Sequence, residues 1–145
     1  MTRIAFACAL VGVALNAVAQ SPAVGLWKTI DDKTGKPLSI VRLAETDGEL
    51  TGTIEQIFTA PGEDPDPKCE HCEGKFKGQR VLGMTFMWGF KRNGDAYGSG
   101  KILDPEEGRV YSCRVELSAD GDKLNVRGYV GIPLFGRTQV WLRQP

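Results

Sequence analysis

From residue 24 onward, apolar and polar side chains alternate in short runs cut by clusters of turn-forming residues. Arg109 to Leu117 carries the cleanest pattern. Tyr111, Cys113, Val115 and Leu117 fall on one face, and Ser112, Arg114 and Glu116 on the other. A period of two over that length is a half-buried strand. The same rhythm predicts strands over Val24 to Ile30, Leu38 to Ala44, Glu49 to Phe58, Met84 to Lys91, Ala96 to Leu103, Lys123 to Ile132 and Arg137 to Arg143. Val24, Leu26 and Ile30 are expected to share a face, as are Phe86, Trp88 and Phe90. Asp47-Gly48 and Asn93-Gly94 mark tight hairpins, because both residues tolerate the positive φ such turns need.

About eight strands in simple succession place sequence neighbours side by side in space. The predicted fold is all-β, an antiparallel up-and-down barrel of lipocalin-like form, since closure leaves no strand edge unpaired. A two-sheet sandwich is the rival. Gly89, Gly98, Gly100, Gly128, Gly131 and Gly136 supply points where small-barrel strands can bend. Residues 59–80 break the rhythm with Pro61, Pro65, Pro67, Cys69 and Cys72. They form a long loop with room for a single helical turn, and such loops in compact domains are usually functional or mobile.

The N-terminus follows a different pattern. Arg3 precedes a run from Ile4 to Val18 without charge, and Ala17-Val18-Ala19 offers small residues at a cleavage point. This predicts a secretory signal peptide over residues 1–19 and a single mature domain over 20–145. The protein is then exported, to a periplasm or beyond the cell. No later apolar segment is long enough to cross a membrane as a helix. The whole chain balances 18 Lys and Arg against 18 Asp and Glu. That argues against a nucleic-acid partner, which needs a basic face, and gives no electrostatic reason to bind anionic lipid.

Gly25-Leu26-Trp27 opens the first strand. A Gly-x-Trp here, followed by a small β domain, resembles the lipocalin superfamily. The resemblance implies that Trp27 closes one barrel end beneath an arginine of the last strand, Arg137 or Arg143. Further segments carry a second resemblance. They are Asp104-Pro105-Glu106-Glu107-Gly108 with Tyr111, Leu124 to Gly131, and Phe135 to Trp141. Together with Gly25-Leu26-Trp27 they are similar to the bacterial domain-of-unknown-function family twenty-one forty-seven. That resemblance implies an exported calycin-like barrel and no established reaction.

Three cysteines follow the expected cleavage point: Cys69, Cys72 and Cys113. Cys69-Glu70-His71-Cys72 can be a redox pair, half a zinc site or a small disulfide. A redox pair wants a helix start beside a strand, and zinc wants four ligands. A disulfide between Cys69 and Cys72 needs neither, and leaves Cys113 as a small buried hydrophobe. No metal or other cofactor is expected.

No hydrolytic triad, Gly-x-Ser-x-Gly elbow or phosphate-cradling loop occurs in the sequence, so no catalytic residue is assigned. The expectation is a binding protein for a small apolar or amphiphilic molecule. Arg127, Tyr129, Gln139 and Trp141 alternate along the last two strands as a candidate polar and aromatic patch. Trp88 and Tyr111 would line the apolar remainder. The alternative is an envelope module with a filled barrel that docks a protein partner through residues 59–80.

Overall fold

The structure is a computed structural model that describes residues 22–145. The expected signal peptide lies outside the described residues. Eight strands follow in order: β1 Gly25–Ile30, β2 Pro37–Thr46, β3 Glu49–Ile57, β4 Thr85–Asn93, β5 Ala96–Asp104, β6 Arg109–Leu117, β7 Lys123–Tyr129 and β8 Gly136–Gln144. Each pairs antiparallel with the next, and β8 returns to β1 to close the barrel. Trp27 makes the closure visible, since it stands opposite Val41 on one side and Arg143 on the other. The sandwich alternative is thereby excluded.

Two ends result. The closed end carries the tight turns β2–β3, β4–β5 and β6–β7 and the entry of the chain. The open end carries four connections: residues 31–36, 58–84, 105–108 and 130–135.

The interior toward the closed end is solid. Trp27, Val41, Leu43, Leu50, Phe90, Tyr97, Cys113, Val115, Leu124 and Trp141 are each at most 1% exposed. A ligand-sized void among them would leave their inner surfaces open to a water-sized probe. Gly100 explains part of the fit: a Cβ there would lie 2.3 Å from the Phe90 ring. The aromatic ring fills the space that a side chain on β5 would have taken. Arg143 caps this end, with its guanidinium 4.3 Å from the Trp27 ring centre. It donates to the carbonyls of Pro22, Val24 and Gly121 at 2.6, 3.2 and 2.7 Å. The Trp27 indole N–H donates 2.9 Å to Ala23. One cation therefore joins the chain entry, the β6–β7 turn and the plug.

The structure corrects three strand readings. In β1 the buried residues are Trp27 and Thr29, while Leu26 and Ile30 take the other face and keep partial exposure. In β4, Phe86, Trp88 and Phe90 do not share a face. Gly89 sits at φ +77°, and two residues of β3 from Leu50 to Gly52 span three of β4 from Phe90 to Met87. That is a bulge, and a second lies where Thr53 to Gly52 of β3 span Thr85 to Met87 of β4; together they turn Trp88 away from Phe86 and Phe90. β7 ends at Tyr129, short of the expected Ile132, because the chain turns back before Pro133.

Candidate functional site

Inward-facing side chains are part-exposed at both ends: Leu117 and Arg143 at the closed end, and a larger group at the open end. Ser39, Ile57, Ile102, Tyr111 and Gln139 are part-exposed, whereas the layer beneath them is closed. The floor is aromatic: Phe86 and Trp141 stack with ring centres 6.3 Å apart. Trp141 is held in orientation because its indole N–H donates 3.0 Å to Gln139 Oε1. Thr29 and Ser39 share a hydroxyl hydrogen bond of 2.8 Å on another wall. At the rim, Arg137 bridges Asp32 at 2.7 Å. The Tyr111 hydroxyl donates 2.6 Å to Glu107, and that bond raises the phenol above its ordinary pKa. The open end thus presents a mouth of part-exposed inward side chains with a polar rim, lying above a buried aromatic pair.

Part of the long loop folds over the outer face of β4 and β5. Cys69 and Cys72 form a disulfide with Cα atoms 5.3 Å apart, and both are buried. A single 3-10 turn, Gly74–Phe76, presents Phe76 to Trp88 with ring centres 5.5 Å apart. Leu103, on the outer face of β5, is only 2% exposed. The β5–β6 turn seats the loop closely, since a Cβ on Gly108 would lie 2.1 Å from the His71 carbonyl oxygen. Between loop and turn lies a cleft of about 360 Å³ bordered by Glu73, Phe76, Leu103, Gly108, Arg109 and Val110.

The six candidate binding residues do not form one set. Tyr111, Gln139 and Trp141 meet at the mouth as just described. Trp88 lies outside the barrel beneath Phe76. Arg127 and Tyr129 alternate with the inward Val126 and Gly128, so they face outward. The reason is register. Arg127 pairs with Thr138 and Val126 with Gln139, because an even number of residues separates Tyr129 from its partner Gly136. Odd positions on β7 therefore share a face with even positions on β8, the flip that a one-residue difference produces. Arg127 spends its guanidinium on the β7–β8 loop. It donates to Pro133 and Leu134 carbonyls at 2.6 and 3.3 Å and to Thr138 Oγ1 at 2.8 Å.

The structural residues also divide. Arg143 caps Trp27, while Arg137 sits at the opposite end on Asp32. Gly25 lies against the cap, where a Cβ would come within 3.1 Å of the Arg143 guanidinium. Cys113 is free and buried, and burial pushes its thiol up to about 12. Two features were missed in the sequence. Ile102 lines the mouth because Ser99, at φ +58°, interrupts β5. The apolar loop Ile132-Pro133-Leu134-Phe135 was counted partly as strand, although its proline was a signal against that.

The model of a bacterial family described as "Uncharacterized protein conserved in bacteria (DUF2147)" matches residues 25–143. The chain belongs to DUF2147. No curated protein matches it. Among solved structures, this DUF2147 chain is similar to protein HP1028 from Helicobacter pylori, described as belonging to the lipocalin family. Identity is 20%, the TM-score is 0.72, and the match covers 85% of this chain and 83% of that one. The likeness fixes the fold as a lipocalin-like barrel. The matched DUF2147 segment begins at Gly25, two residues before the plug, and ends at Arg143, the residue that caps it.

Proposed function

We propose that this DUF2147 chain is an exported, non-enzymatic binding protein that takes one end of a small amphiphile at the barrel mouth. The observation that carries the reading is the contrast in burial along the inward face. Five inward side chains, Ser39, Ile57, Ile102, Tyr111 and Gln139, are part-exposed above the buried Phe86–Trp141 pair, whereas the closed end is capped by Arg143. Ligand sites are concave and mostly apolar with a few placed polar groups, and the mouth has that composition. The mouth suits the tip of an acyl chain or a ring against Ile57 and Ile102, above the buried Trp141, with the polar head at Arg137 and Tyr111. The signal-peptide pattern of residues 1–19 supports export to the periplasm or beyond. Intact mass of the exported protein is expected to show a chain beginning at Gln20, and retention of residues 1–19 would overturn that part.

The binding test is tryptophan emission during titration with a medium-chain fatty acid. Saturable change in the wild type that disappears in Trp141→Phe supports the mouth. No saturable change, or an undiminished change in Trp141→Phe, overturns it. A second reading rests on the solid lower barrel, which suits a module that docks a protein partner through the long loop 59–80. Crosslinking from Glu73 in the native envelope, with the mouth inert to amphiphiles, would favour that reading.

A further inference from the structure

We propose that the β7–β8 loop, residues 130–135, is a membrane-inserting tip that seats the open end on a phospholipid surface. This stands apart from the mouth reading and holds whether or not the mouth takes a ligand. Val130, Ile132, Leu134 and Phe135 are 58, 52, 75 and 68% exposed. The other large apolar residues that reach solvent are scattered over the molecule at 38 to 48%. Leaving these four together in water is unfavourable, so the loop calls for a cover.

Most of the loop's backbone groups are already paired within the chain. The carbonyls of Val130, Ile132 and Phe135 accept from loop N–H groups at 3.0 to 3.2 Å. Those of Pro133 and Leu134 accept from Arg127, and Pro133 has no N–H to satisfy. Such pairing lowers the cost of leaving water for hydrocarbon.

The flanks point the same way. Arg127 and Arg137 stand at the feet of the loop with Tyr129. Arg137 also bridges Asp32 on the neighbouring loop. Arginine and tyrosine flanking an apolar tip are the side chains that rest at the headgroup level. Both arginines already have partners, and the neighbouring open-end turns carry Asp31, Asp32, Glu106 and Glu107, so insertion of the apolar tip drives the binding.

The test is co-sedimentation of protein purified after export with vesicles of phosphatidylcholine, alone and with phosphatidylglycerol added. The wild type is expected to pellet with both, with no marked preference for the anionic lipid. Leu134→Ser/Phe135→Ser alters only exposed side chains, so its melting temperature is expected to match the wild type while its vesicle affinity falls about tenfold or more. Failure of the wild type to pellet, or equal pelleting of the variant, overturns the proposal. So does a wild-type dimer in analytical ultracentrifugation that becomes monomeric in the variant, because a second copy would then be the cover.

Discussion

The two ends of the barrel use the same kinds of residue to opposite effect. At the closed end an aromatic, Trp27, is fully buried and an arginine, Arg143, is bound to three carbonyls. At the open end an aromatic, Phe135, stands in solvent and an arginine, Arg127, holds two carbonyls of the loop that exposes it. One arginine locks the chain shut around a plug; the other props an apolar tip outward. Stability is therefore concentrated at one end, and the surfaces available for binding at the other. Substitutions at the two ends are expected to separate into those that unfold the protein and those that leave it folded but altered in binding.

The largest effect is expected from Trp27→Ala. Truncating a buried aromatic removes its transfer free energy and leaves a cavity, at a cost of about 3–5 kcal/mol. Arg143→Ala follows at roughly 1–3 kcal/mol, because carbonyls it satisfies lose their donor. Urea denaturation of both, beside Ile102→Ala at the mouth, checks the asymmetry. Equal losses at both ends would break the comparison.

The sequence made the closed end legible and the open end only partly so. Gly25-Leu26-Trp27 and the alternation of Tyr111, Cys113 and Val115 specify an inward face directly, since burial is what the alternation records. At the open end the outcome hangs on bulges and loop lengths. Gly89 and Ser99 each shift a strand by one residue, which sends Trp88 outward and brings Ile102 in. The length of the 130–135 loop reverses the face of Arg127 relative to Gln139. Such single-residue phase changes leave composition and local propensity unchanged, so period counting within one strand cannot detect them.

The next expectation sharpens the claim that the closed interior is dry. Burial raises the Cys113 thiol from an ordinary 9.0 to about 12. Between those values the unfolded chain loses the proton and the folded one keeps it, so stability falls as pH rises. The contribution is fully present below about pH 9 and declines by roughly 1 kcal/mol per pH unit above it. Urea midpoints of wild type and Cys113→Ala at pH 7 and pH 10 test this. The variant is less stable at pH 7 from its cavity, and the gap is expected to narrow at pH 10. An unchanged gap would mean that water reaches Cys113.

The disulfide comes next, at roughly 1–2 kcal/mol, because it closes a very short loop. Cys69→Ala/Cys72→Ala is expected to keep the barrel and loosen residues 59–80, seen as faster proteolysis there. Global unfolding in that variant would make the long loop part of the core rather than a cover laid over β4 and β5.

The smallest effect on stability, and the most informative about the mouth, is expected from Gln139→Glu. Removing the side chain would strand the Trp141 indole N–H, which donates to Gln139 Oε1, and an unsatisfied buried donor costs about 1–3 kcal/mol. Glutamate keeps an acceptor oxygen in the same place, so the urea midpoint should stay within about 0.5 kcal/mol of the wild type. The new negative charge then stands beside the Phe86–Trp141 floor, facing any anionic head held at the rim. A fatty acid should bind the variant more weakly, while the matching alcohol, which lacks the carboxylate, should bind it as well as the wild type. Equal weakening of both would mean that the floor itself has moved. No weakening of either would place the head away from Gln139, with the apolar tip of the ligand alone in the mouth.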